Sequence, residues 1–194
     1  MNGTIGNLAF QEELRTELIG GRVVALAAPS TIHEYVADNI RDIFRDYLRK
    51  KPCRVFSSHT AVYLQDGEEY QPDVKVVCDR SKIRRDGIHG APDLVVEVLS
   101  PSTGRYDRGR KMQVYERCGV REYWIVEPFN RSIEQYVLEN DRFILHGFYR
   151  LNDELDLKMM TEKERAEAVK EFHCTLFDDL TISVEDVFAD VQDL

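Results

Sequence analysis

Pro92-Asp93-Leu94-Val95-Val96-Glu97-Val98-Leu99-Ser100-Pro101 is the stretch from which the fold is read. Between Asp93 and Leu99 the chain is almost wholly aliphatic and shows no polar alternation, which predicts a strand buried on both faces at the centre of a sheet. Pro101 stops it. A helix is predicted from about Thr103 to Cys118, closed by Gly119, and Tyr123-Trp124-Ile125-Val126 reads as the next strand. Strand, helix and strand in that order imply a right-handed crossover and a parallel pair. Glu97 is the anomaly, because an ionised carboxylate inside such a run is too costly to bury without compensation.

Working outward, Gln71-Pro72-Asp73-Val74-Lys75-Val76-Val77 predicts a strand beside the central one, and Arg54 to Leu64, ahead of the Asp66-Gly67 turn, a strand that pairs antiparallel with it. Before these, Thr31 and Glu34 have capping-box spacing ahead of a helical stripe from Ile32 to Leu48, giving a helix of about 17 residues. Glu17 to Leu26 reads as a hairpin around Gly20-Gly21. Beyond the centre, Ser132–Leu138 and Arg142–Phe148 form a second hairpin. Residues 150–172 form a charged helical insertion opened by Thr161 and Glu164, and an apolar segment, Leu176 to Phe188, ends the chain. Residues 1–194 are therefore expected to be a single α/β domain, a mixed β-sheet flanked by helices.

The formal net charge of −9 argues against bulk attraction to a polyanion and leaves local basic patches as the means of contact. Arg80, Lys82, Arg84 and Arg85 form one such cluster, and Arg105, Arg108 and Arg110 belong to another. Either is a candidate DNA contact or simply solvated surface. Cys53, Cys78, Cys118 and Cys174 form no CxxC clip, so reduced thiols and a cytoplasmic location are expected. There is neither a basic-hydrophobic leader nor an apolar run long enough for a membrane span.

Two strand carboxylates can meet. Asp93 and Glu97 share a face but lie about 13 Å apart on one strand, whereas Asp73 on the neighbouring strand can approach Glu97 to about 5 Å. Asp93 is therefore read as structural. Lys111 shares the packing stripe of its helix with Val114, Tyr115 and Cys118, and one helical turn separates it from Asp107. Retracing the helix returns its amine to the neighbourhood of Glu97. Asp73 and Glu97 would hold Mg²⁺ or Mn²⁺ through oxygen, and Lys111 would orient or deprotonate a water, a set suited to phosphodiester hydrolysis. On this reading Lys111→Ala cuts turnover severely and leaves the fold intact. The bland readings are a salt bridge for Glu97, a turn role for Asp73, and a snorkelling amine or an Asp107 pair for Lys111.

These residues bring a family with them. Glu17-Leu18-Ile19-Gly20-Gly21, His33, Pro72-Asp73, the run from Pro92 to Thr103, then Asp107, Lys111, Tyr115, Gly119-Val120 and Glu122 to Pro128 occur in this order. In that succession the chain resembles the Uma-two-type restriction endonucleases of the PD-(D/E)xK nuclease superfamily, along nearly its whole length. The resemblance implies a restriction-endonuclease-like fold, with Asp73 as the first acid and Glu97 as the second. The usual lysine position two residues beyond the second acid is Leu99 here, and the family pattern moves the lysine to Lys111. Glu17, His33 and Asp107 would support the site. The implied activity is divalent-metal-dependent cleavage of DNA, with a homodimer expected by analogy. The alternatives are a nuclease-like module that binds nucleic acid or protein without cutting, and a hydrolase of small phosphate esters, which calls for a closed pocket.

Overall fold

The computed structural model describes residues 15–101 and 103–191. The first two strands, β1 (Thr16–Ile19) and β2 (Arg22–Ala25), form the expected hairpin. Gly20 and Gly21 turn it with φ of 60° and 75°, the left-handed pair that a two-residue type I′ turn requires. Helix α1 (Thr31–Tyr47) follows. Its cap is Ser30, whose hydroxyl accepts from the His33 N–H, one residue ahead of the predicted Thr31 cap. His33 consequently lies in the first helical turn.

The single strand expected from Arg54 to Leu64 is two, β3 (Arg54–Ser57) and β4 (Val62–Tyr63). The chain bends between them, the Thr60 N–H donating to the Ser57 carbonyl at 3.2 Å, and the two strands enter different sheets. A 3-10 turn at Gln65–Gly67 leads to β5 (Glu69–Tyr70), and then come β6 (Val74–Val77), β7 (Ile88–His89) and β8 (Leu94–Val98). All five residues of β8 are buried, as the aliphatic run predicts for a central strand.

The crossover helix is not continuous. It consists of a short α-turn, α2 (Gly104–Tyr106), a π-turn, Asp107–Lys111, and α3 (Met112–Cys118), closed by Gly119 at φ 84°. Hydrogen bonding from i to i+5 widens such a turn, and both of its end residues, Asp107 and Lys111, are buried. Next come β9 (Glu122–Glu127) and the hairpin of β10 (Ser132–Glu139) and β11 (Arg142–Arg150). The stretch 150–172 contains α4 (Glu154–Met159) and α5 (Glu162–Glu167), each opened by a capping box. It runs into an unpredicted strand, β12 (Glu171–His173), paired with β13 (Thr181–Ser183) ahead of α6 (Val184–Val187).

The main sheet has the order β11-β10-β9-β8-β6-β3. β8 and β9 are parallel and its other neighbours antiparallel, giving the expected mixed α/β architecture. One face packs Val74, Val76, Val96 and Trp124 under Val36, Ile40 and Phe44 of α1. The opposite face, with Val77, Val95, Tyr123 and Ile125, meets Val114 and Tyr115 of α3, and Val62 and Tyr70 of a five-stranded sheet ordered β2-β1-β5-β4-β7. A small sheet thus shares this face with the crossover helix.

Cys53 and Cys78 form a disulfide, a correction to the reduced thiols expected. The pairing of Arg54 with Val77 brings the two cysteines opposite each other at the next position, a consequence of register that sequence spacing does not reveal. No described helix is long and apolar enough to cross a membrane.

Candidate active site

The pairing of Val74 with Val96 sets Asp73, one residue before β6, beside Glu97 on β8. Both valines belong to the α1 core, so strand alternation directs the two carboxylates to the opposite face. Asp73 Oδ2 accepts from the Val98 N–H at 2.8 Å, and Asp93 Oδ2 accepts from the Cys78 N–H at 2.7 Å. The two Pro-Asp pairs thus make the same bond, each from the start of one antiparallel strand to the far end of the other. Their cross-strand neighbours separate them: Asp73 stands beside Glu97, and Asp93 beside Val77.

Lys111 reaches Glu97 from the π-turn. Its Nζ lies 3.2 Å from Glu97 Oε1, 3.0 Å from Glu17 Oε2 on β1 and 3.2 Å from Asp107 Oδ1. All four side chains are buried. Tyr115 adds a hydroxyl that donates to Glu97 Oε1 at 2.8 Å. Burial alone would lower the Lys111 pKa, yet the charges of Glu97, Glu17 and Asp107 raise it well above its usual value. For Glu97 burial is the largest influence and raises its pKa well above normal; Lys111 opposes this, while Asp107, Asp73 and Glu17 add to it. Asp107 is raised in the same way, first by burial. The amine of Lys111 is thus shared among three carboxylates. Lys111 is the shared counter-ion of three buried acids, so its contacts support the fold as well as the site.

His33 approaches the first acid, with Nε2 3.3 Å from Asp73 Oδ2. Burial opposes the charged ring, but the hydrogen bond and charge of Asp73 outweigh it and the His33 pKa rises. Asp73 is largely shielded from solvent, which would raise its pKa, yet the His33 contact and the Val98 N–H hold its carboxyl below the usual range. Lys75 completes the surroundings and was not singled out from the sequence. It is fully buried on β6, its Nζ donates to the Pro72 carbonyl at 2.8 Å, and burial lowers its pKa to about 7 against the pull of Asp73 and Glu97. The signal was present, since a lysine two residues from Asp73 in a strand of valines shares the acid's face.

Glu17, His33, Asp73, Glu97 and Lys111 line one cleft of about 470 Å³, whereas Asp93 and Asp107 do not. Nor does any of the seven cations predicted as DNA contacts. Arg108 pairs with Glu134 and Arg110 with Glu68. Lys82 donates to the Ala91 carbonyl and Arg80 to that of Pro52. Arg105 lies over the Tyr106 ring, and Arg84 and Arg85 are exposed. The cleft takes Arg15 and Arg41 instead. Arg15 donates to Gln71 Oε1 and to the Ser58 carbonyl.

Asp73 uses Oδ2 for both His33 and Val98, and Glu97 uses Oε1 for both Lys111 and Tyr115. Oδ1 of one and Oε2 of the other enter none of these contacts. Hard oxygen donors of this kind fit Mg²⁺ or Mn²⁺. Among the described residues no group of three or more His, Cys, Asp or Glu forms a metal cage, and Mg²⁺ commonly binds through one or two carboxylates while retaining waters.

Residues 6–169 match the family model described as "Uma2: Putative restriction endonuclease". Two uncharacterized proteins of Synechocystis sp. (strain ATCC 27184 / PCC 6803 / Kazusa) are similar. One is 31% identical over 155 residues, covering 78% of this chain and 82% of the relative. The other is 24% identical over 151 residues, covering 75% and 85%. The fold resembles the crystal structure of a "putative nuclease belonging to DUF820" from Anabaena variabilis ATCC 29413, with a TM-score of 0.69, 16% identity and 92% of each chain covered.

Proposed function

The chain belongs to the Uma2 restriction-endonuclease family, and on that premise we propose that it is a divalent-metal-dependent DNA endonuclease whose metal ligands are Asp73 and Glu97. The observation that carries this reading is the adjacency of two carboxylates in one cleft, Glu97 buried and Asp73 largely so, each with one oxygen outside its contacts to the described residues. Bound Mg²⁺ or Mn²⁺ supplies a Lewis acid for the phosphate and a water of lowered pKa. His33 and the Val98 N–H keep Asp73 ionised and oriented. Lys111 holds Glu97 in place and offers the cleft a positive charge for a phosphate oxygen. Glu17 and Asp107 hold Lys111. A homodimer would bring two such sites to a duplex.

One observation favours a module that binds without cutting. The Lys111 amine already has three carboxylate partners, leaving it less free to act on water. The discriminating experiment incubates supercoiled plasmid and circular single-stranded DNA with the protein in Mg²⁺, Mn²⁺ or EDTA. Cleavage that needs the metal and is lost in Asp73→Asn supports the nuclease. Binding without cleavage of either DNA in any metal supports the module.

A further inference from the structure

We propose that the cleft takes a DNA strand with its bases unstacked, and that Phe129 is the platform on which a base beside the scissile phosphate stacks. This rests on the nuclease reading of the site and adds its substrate class. Phe129 is 69% exposed and lines the same cleft as Asp73 and Glu97. Phe129 thus presents an aromatic ring to solvent at the wall of the cleft that holds the two acids.

The backbone beneath the ring is well held. Glu127 accepts from the Phe129 N–H at 3.3 Å, the Arg131 N–H donates to the Pro128 carbonyl at 3.3 Å, and the Arg131 side chain is anchored to Asp153 at 3.1 Å. The ring is thus presented on a fixed turn. Its place follows from the sheet. β8 and β9 run parallel with Glu97 beside Ile125, and Phe129 lies four residues beyond Ile125, at most about 14 Å of chain. That puts it beyond the acids at the end of the sheet where both strands leave.

The chemistry of the rim favours a base over a duplex backbone. Ala27, Ala28 and Pro29 from the segment before α1, and Pro101, Pro128 and Phe129 from the ends of β8 and β9, give the cleft apolar walls around its charged floor. Intact duplex is held chiefly by phosphate contacts, but the two clusters of cations suited to that task lie outside the cleft. Single-strand sites combine a few cations that follow the backbone with an aromatic ring that stacks on any base. Arg15, Arg41 and Lys111 are cations of the cleft, Arg41 paired with Asp38 and Asp42, and Phe129 is the ring.

The test is fluorescence anisotropy of the full chain with a short labelled single-stranded oligodeoxynucleotide and with its fully paired duplex, in EDTA so that no cutting intervenes. Phe129→Ala is expected to weaken single-strand binding roughly 5- to 150-fold, the range for one base stacked on one ring. Phe129→Trp should restore it, and duplex binding should stay unchanged. Unchanged single-strand affinity in Phe129→Ala, an equal loss on the duplex, or tighter binding of duplex than single strand by the parent overturns the proposal. Metal-dependent cleavage with unaltered binding by Phe129→Ala overturns the stacking site alone. Phe129-dependent binding by a parent that never cuts overturns the nuclease reading and leaves the stacking site standing.

Discussion

Asp73 Oδ2 meets the Val98 N–H at 2.8 Å, so the first acid of the candidate site also fastens β6 to β8. The two roles are separable. Asp73→Asn retains a carbonyl oxygen for the buried N–H, whereas Asp73→Ala leaves that donor without a partner, at about 1–3 kcal/mol. Urea denaturation should therefore rank the stabilities parent, Asn, Ala, with both variants inactive as metal ligands. Equal stability of Asn and Ala would show that the bond to Val98 contributes nothing.

Lys111 is expected to matter for the fold as well as the chemistry. Lys111→Met strands Glu17, Glu97 and Asp107 without their counter-ion, and breaking a buried pair in this way typically costs about 3–5 kcal/mol. The loss should shrink as pH falls, because Glu97 and Asp107 already have raised pKa values and accept protons readily. Adding Glu17→Gln to Lys111→Met should recover part of the stability. A Lys111→Met protein as stable as the parent would remove the amine from its structural role.

The His33–Asp73 pair predicts a pH dependence of stability in the metal-free protein. The His33 pKa is higher in the fold than its ordinary value, so its stabilisation is fully present below about pH 6.5 and is lost as pH rises through the folded value. Asp73 is held low, so its part is present above the ordinary carboxylate range and lost as pH falls through its folded value. His33→Gln in EDTA should flatten the decline on the alkaline side of pH 6.5. An unchanged slope in thermal melts across that window would exclude His33 as its source.

The Cys53–Cys78 bond joins residues 25 apart in sequence, and a cross-link of that span stabilises by about 3 kcal/mol in the loop-entropy account. Denatured, unreduced protein should titrate two thiols, those of Cys118 and Cys174, and Cys53→Ala with Cys78→Ala should lower the denaturation midpoint. Four titratable thiols would show that the pair is reduced.

Aliphatic runs and proline stops made the central sheet legible from sequence, because a strand buried on both faces leaves no polar alternation. The acids are legible in the same way, Glu97 as the one charge in the central run and Asp73 on the neighbouring strand: reach distinguishes Asp73 from Asp93, and the register puts the former beside Glu97. Three features could not be read so directly. The π-turn at Asp107–Lys111 has no pattern of its own within a helical stripe. The disulfide depends on a one-residue register. The small strands β4, β5 and β7 are two residues each, too short for alternation to declare itself. The basic clusters illustrate a different limit. Arg108 and Arg110 lie close together on the crossover helix yet are taken up by Glu134 of β10 and by Glu68, just before β5, and composition is blind to such partners.

Asp73 and Glu97 are proposed to share one divalent ion. Calorimetric titration of Mn²⁺ into metal-free protein measures this directly, alongside Asp73→Asn and Glu97→Gln shown to be folded by circular dichroism. The prediction is one saturable site per chain in the parent and loss of that binding in both variants. Undiminished Mn²⁺ binding by either folded variant, or no saturable binding by the parent, would contradict the shared metal site.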